Sequence, residues 1–120
     1  MKYMLLIYNN PDALQSLPRE QLDGIFDEVG TIMAELKESG ELVGGEALAH
    51  PSQTRTVRVR NGAPATTDGP FVEAKEQFAG YLAVDVESEE RAIEIAARWP
   101  DARYCAMEVR AVMHTSGGEV

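Results

Sequence analysis

Cysteine, histidine and basic side chains are all scarce in this 120-residue chain, and each shortage removes a class of function. With Cys105 as the single cysteine, no disulfide can form within the chain and no cysteine-based zinc site can be assembled. Cys105 itself reads as a small buried hydrophobe or inert thiol. The two histidines, His50 and His114, lie far apart and show no helical metal-ligand spacing. Eleven Lys plus Arg against 20 Asp plus Glu give a formal net charge of −9. Such a field repels phosphate backbones and anionic lipid, so neither nucleic acid nor membrane is expected as a partner. No apolar run approaches the roughly 20 residues that span a bilayer. The apolar opening, Tyr3 to Tyr8, stops at Asn9-Asn10-Pro11 without a small-residue cleavage site, so it reads as a strand and not a secretory signal. A cytoplasmic location is the expectation. Gly-x-Gly-x-x-Gly, Walker and Gly-x-Ser-x-Gly patterns are missing too, which removes the usual signatures of nucleotide binding and serine hydrolysis. No organic cofactor is expected.

What remains is an ordinary globular composition, 44% hydrophobic and 26% charged, long enough for one core. Residues 1–114 read as a single domain and residues 115–120, with Gly117-Gly118, as a flexible tail. Tyr3 to Tyr8 is apolar on both alternating faces, which suits a strand covered on both sides. From Pro18 to Ser39 the residues Leu22, Ile25, Phe26, Val29, Ile32, Met33 and Leu36 recur at helical spacing, with Pro18 at the start and Gly40 past the end. Glu41 to Leu48 reads as a strand with a bulge or close approach at Gly44-Gly45. Thr54 to Arg60 and Ala63 to Thr67 flank Asn61-Gly62, a two-residue hairpin signal. Phe78 to Val86 is a further strand. Ser88 caps a helix with Ala92, Ile93, Ala96 and Trp99 as its buried stripe, and Met107 to Val112 closes the series.

The order β-α-β-β(hairpin)-β-α-β predicts an α+β, ferredoxin-like antiparallel sheet with two helices on one face. The other face then needs a cover for the second apolar side of the first strand. A homodimer joined through the helix-free sheet face, a dimeric α/β-barrel, supplies it.

The segment Thr66 to Glu76 is the most unusual. Asp68-Gly69-Pro70 assures a tight turn, and Phe71 is expected to anchor it in the core. The turn either only shapes the chain, or it holds Asp68 at a pocket mouth with Glu73 and Lys75 as an acid–base or anchoring pair. His50, just before Pro51, is a general acid or base at neutral pH or a solvated turn residue. His114 reads as a frayed end. A divalent metal on Asp68, Glu73 and Glu46 is an alternative; the expectation is no metal. Arg55, Arg58 and Arg60 form a basic stripe, either a solvated edge or a docking place for a small anion. Tyr3, Tyr8 and Tyr81 are either half-buried packing or part of a cleft wall.

Met1 to Tyr8, Gly44-Gly45-Glu46-Ala47-Leu48, Thr56 to Arg60, Thr67 to Glu76 and Glu108-Val109-Arg110 together resemble the DGPF-type branch of the YCII-related proteins. The resemblance implies a dimeric α/β-barrel of ferredoxin-like subunits. Some relatives are associated with dehydrochlorination of chlorinated aromatics, and relatives of this branch are linked with sigma factors of the extracytoplasmic type. The wider family is known for a histidine–aspartate pair, with the histidine near the first helix. The first helix here has no histidine, and Asp68 is the residue carried over.

Two readings follow. In one, the protein is a cofactor-independent small-molecule lyase or isomerase with Asp68 as acid or base, Glu73 and His50 assisting, and Gly69, Pro70, Phe71, Lys75 and Arg58 binding a small anionic or aromatic ligand. In the other it is a non-catalytic ligand-binding or regulatory module, linked through the resemblance to sigma-factor regulation.

Overall fold

The doubly apolar opening segment takes an inner position in a sheet, as its composition requires. In the computed structural model, which describes residues 1–117, β1 (Lys2–Asn9) is followed by α1 (Pro11–Gln15), α2 (Arg19–Ser39), β2 (Leu42–Ala47), β3 (Arg55–Arg60) and β4 (Ala63–Asp68). Then come β5 (Gln77–Asp85), α3 (Glu89–Arg98), α4 (Asp101–Tyr104) and β6 (Ala106–Ala111). The main sheet is antiparallel with order β2-β5-β1-β6, and β3 and β4 form a separate two-stranded ribbon. This is the expected α+β ferredoxin-like sheet, with the ribbon inserted between its second and third strands. Residues 118–120 of the expected tail lie outside the described residues.

One sheet face meets the helices. Tyr3 and Leu5 of β1, Leu82 and Val84 of β5, Ile32 and Leu36 of α2 and Ala92, Ile95 and Ala96 of α3 form the buried cluster, closed by Trp99. Gly40 ends α2 at φ +82, where its N–H donates to the carbonyls of Leu36 and Lys37. Only the C-terminal half of α2 is seated in the core: Val29 and Met33 pack against it, whereas Phe26 is 66% exposed. Ser88 caps α3 by accepting from the Arg91 N–H at 3.2 Å. The stripe on α3 includes Ile95 and leaves Ile93 half exposed, contrary to expectation. The reason is angular: counting three and four onward from Ala92 reaches Ile95 and Ala96, while Ile93 is turned about 100° away.

The β2–β5 seam carries the bulge expected at the paired glycines, between Leu42 and Gly44. A Cβ on Gly45 would stand 2.8 Å from the Tyr81 carbonyl oxygen, so the close approach there requires glycine. Where β2 begins, Glu41 binds Arg91 of α3 through two contacts of 2.9 Å. That pairing, helped by Ser39, holds the Glu41 carboxyl down at about 2.

The helix-free face presents Met4, Leu6, Tyr8 and Tyr81, all half buried, beside Glu108 and Arg110 of β6. Just beyond β6 the ladder to β1 continues for one more residue: the Val112 N–H donates to the Lys2 carbonyl at 3.0 Å. Val112 and His114 then help wall a small cavity with Met4, Val43, Tyr81 and Ala83 on this face. Tyr3 belongs to the core. Cys105 is partly buried, and burial pushes its thiol up, as suits an inert side chain. No described helix is long and apolar enough to cross a membrane.

Two outcomes follow from this packing. Ile95→Ala should cost about 2–5 kcal/mol in urea unfolding, and Ile93→Ala less than about 1 kcal/mol. Because the Glu41 carboxyl is lowered from its ordinary 4.5 to about 2, its contribution is present above pH 4.5 and is lost as pH falls toward 2. Glu41→Gln should therefore flatten the acid limb of stability against pH in that window.

Candidate functional site

The connectivity gathers three segments at one end of the sheet. β1 and β2 both run antiparallel to β5. The residues just after β1, those just after β2 and those just before β5 must therefore emerge together. They enclose an open cleft of about 650 Å³ whose walls include Asp12 from the first segment, His50 from the second and Glu73, Lys75 and Gln77 from the third.

Each side chain is placed by local chemistry. The Asn10 side chain accepts from the Ala13 N–H at 3.1 Å and Pro11 opens the helix, so Asn10-Pro11, which stops the first strand, also starts α1. Asp12 stands in its first turn. Pro51 biases His50 to extended backbone, observed at φ −53 and ψ 141, and begins a 3₁₀ turn over Pro51–Gln53. The Gln77 side-chain amide donates to the carbonyls of Val72 and Ala74 at 3.0 and 2.8 Å, tying down the stretch that carries Glu73.

His50 Nε2 lies 3.0 Å from Asp12 Oδ1. On the other side of the ring, Nδ1 lies 3.1 Å from the Ser52 backbone nitrogen and 2.9 Å from Ser52 Oγ. A backbone N–H can only donate, so Nδ1 is the acceptor and, in the neutral ring, Nε2 carries the proton toward Asp12. The His50 side chain is 34% exposed and that of Asp12 83%, so the ring is backed by protein while the carboxylate faces solvent. A second, more apolar cavity of about 350 Å³ adjoins the first, sharing Pro11, His50, Pro51 and Gln77. Leu14, Leu22, Phe26, Leu48 and Phe78 line it, which accounts for the exposed Phe26 and Leu48.

The expected site residues thus fall into two groups. His50, Glu73 and Lys75 meet at the cleft, whereas Asp68 does not line it. Asp68 ends β4, its side chain 85% exposed, with Oδ1 3.0 Å from Arg55 Nη1. Gly69 takes φ +92, and its N–H donates to the Thr54 carbonyl at 2.7 Å, so the Asp-Gly-Pro turn closes the base of the ribbon. Phe71 is not an anchor in the core: it is 72% exposed, with the Arg58 guanidinium 5.0 Å above its ring. A turn that closes on its own strand leaves the following residue no core to enter. Asp12 is the member that sequence reasoning missed, though an Asn-Pro-Asp run is a cap, a first-turn proline and an acid in helix-start order. Among the described residues no three His, Cys, Asp or Glu side chains converge as metal ligands, and the Asp68, Glu73, Glu46 alternative has no such cluster to draw on.

Comparison with known proteins adds a family and a fold. The model of the YCII-related domain matches residues 1–116. An uncharacterised protein of Rhizobium meliloti (strain 1021) is 27% identical over 96 residues, covering 80% of this chain and 77% of that one. In fold the chain is similar to the 5-chloro-2-hydroxyhydroquinone dehydrochlorinase of Burkholderia phenoliruptrix AC1100, solved with 2,5-dihydroxybenzoquinone. The TM-score is 0.52 at 14% identity, over 96% of each chain.

The hydrogen bonds at His50 set its tautomer. Long-range ¹H–¹⁵N spectra of the neutral ring should show the proton on Nε2, and a proton on Nδ1 would mean that the Ser52 contact does not form in solution.

Proposed function

Because the chain belongs to the YCII-related family, whose domain spans residues 1–116, we propose that it is a small-molecule lyase or isomerase that works without an organic cofactor and moves a proton at the His50–Asp12 pair. The 3.0 Å contact between Nε2 and the exposed Asp12 carboxylate, where the open cleft meets the more apolar cavity, carries this reading. The fold neighbour's name denotes an elimination on a chlorinated, hydroxylated ring, which is of the class proposed.

In this reading the Asp12 carboxylate takes a proton from substrate. The His50 N–H, locked by Ser52 behind it, orients that carboxylate. Lys75, on the cleft wall beside Glu73, offsets the negative charge that develops on a substrate oxygen. The apolar cavity receives a ring or similar body, so a small anionic or aromatic molecule is the ligand class. Asp68 acts on the ribbon and not on substrate; with Gly69, Pro70, Phe71 and Arg58 it shapes the approach to Glu73. A cytoplasmic location accompanies this reading.

A non-catalytic binding module is the second reading. Both ring nitrogens of His50 already have partners, which suits a wall as well as a base.

A homodimer through the helix-free face belongs to the same proposal. Met4, Leu6, Tyr8 and Tyr81 supply an apolar centre there, and Glu108 and Arg110 on one strand offer both charges. A two-fold contact, which sets each patch against its own copy, can pair such charges reciprocally.

Against activated hydroxylated aromatic and carbonyl substrates, His50→Gln and Asp12→Asn should each lower kcat/KM by about 10²–10⁴-fold, with Asp68→Asn within about twofold. Unchanged turnover in folded His50→Gln would remove the pair from the chemistry. Ligand-dependent thermal stabilisation with no turnover by the wild type would favour the binding module.

A further inference from the structure

The β3–β4 ribbon stands apart from the body. No helix and no other strand packs extensively on it. The radius of gyration of 16.3 Å exceeds the roughly 13.6 Å of a compact domain this long. The ribbon is nonetheless well formed. Asn61 and Gly62 hold φ of +54 and +77 at its tip. At its base, Arg55 pairs with Asp68, and the Thr56 hydroxyl donates to the Gly69 carbonyl at 2.7 Å. What it lacks is a cover. Val57 and Val59, on one face, are 63% and 59% exposed, and a two-stranded ribbon alone in water is marginal.

We propose that the ribbon is an arm that grips a second copy of this chain, with Val57 and Val59 as its apolar contact and Arg58 and Arg60 reaching around to the partner's carboxylates. Charge selects the occupant. The ribbon carries three of the chain's eleven cationic side chains and a single acid, Asp68, leaving eight against nineteen elsewhere. A second copy therefore always offers a surface of opposite sign. Pro64 pairs with Val59 and has no N–H to offer a further strand, so the arm engages by its face and not by the β4 edge.

The contact is distinct from the helix-free sheet face, and it extends the homodimer reading, on which it rests. It also bears on the cleft. The two connectors that tether the ribbon are the ones that carry His50 and the Glu73–Lys75 stretch, so a grip on the partner steadies both walls.

Sedimentation equilibrium over a range of concentrations tests this on the full chain, on Val57→Asp/Val59→Asp, and on a variant whose residues 55–68 are replaced by a short Gly-Ser link. Circular dichroism checks each fold. The expected result is a wild-type dimer whose dissociation constant rises about tenfold or more in both variants, and which weakens as salt is raised. Variants that dimerise like the wild type would overturn the arm while leaving the sheet-face dimer standing. A monomeric wild type would overturn both. Should the excised chain fail to fold, the double aspartate variant decides alone: an unchanged constant overturns the proposal and a weakened dimer supports it.

Discussion

Burial of Tyr3 and Leu5 between neighbouring strands and under α2 and α3 is the constraint from which the remainder of the molecule follows. It fixes β1 inside the sheet and, through the antiparallel ladder to β5, decides which chain ends share a rim. At Coulombic distances of about 3 Å, placement errors of an ångström matter. Such accuracy comes from strands clamped by a core, not from loops acting alone. The His50–Asp12 contact joins residues 38 positions apart because β1 and β2 deliver their ends to the same side.

Proline does much of the local work. Pro11 starts a five-residue helix, and Pro51 extends His50 and sets up the turn in which Ser52 meets the ring. Neither element is long enough to hold its shape unaided. Each is sustained by side chain to backbone bonds at its first residue, from Asn10 and from His50. Rigidity at the cleft is thus assembled from caps and turn residues in short pieces.

Much of the architecture could be read from residue pattern. Apolar alternation marks the strands, the stripe from Leu22 to Leu36 marks α2 although its first half is not seated in the core, and Asn61-Gly62 marks the ribbon. Period alone failed at Ile93, where an apolar residue sits beside the true stripe and only the position of the sheet distinguishes it from Ile95. The site was legible in part. His50, Glu73 and Lys75 stand out by chemical type, whereas Asp12 is hidden: the Asn-Pro-Asp run marks a helix start, and only the topology sets its acid opposite the ring. Asp68 is the opposite case: the Asp-Gly-Pro turn is conspicuous in sequence, yet its geometry closes the ribbon base.

The separation between ribbon and body also has a kinetic meaning. Amides along β1 are shielded by ladders on both sides and by the core beneath, so solvent deuterium reaches them only when the whole domain opens. Amides of β3 and β4 depend on a local opening that leaves the four-stranded sheet untouched. One chain of 120 residues therefore holds two independent clocks.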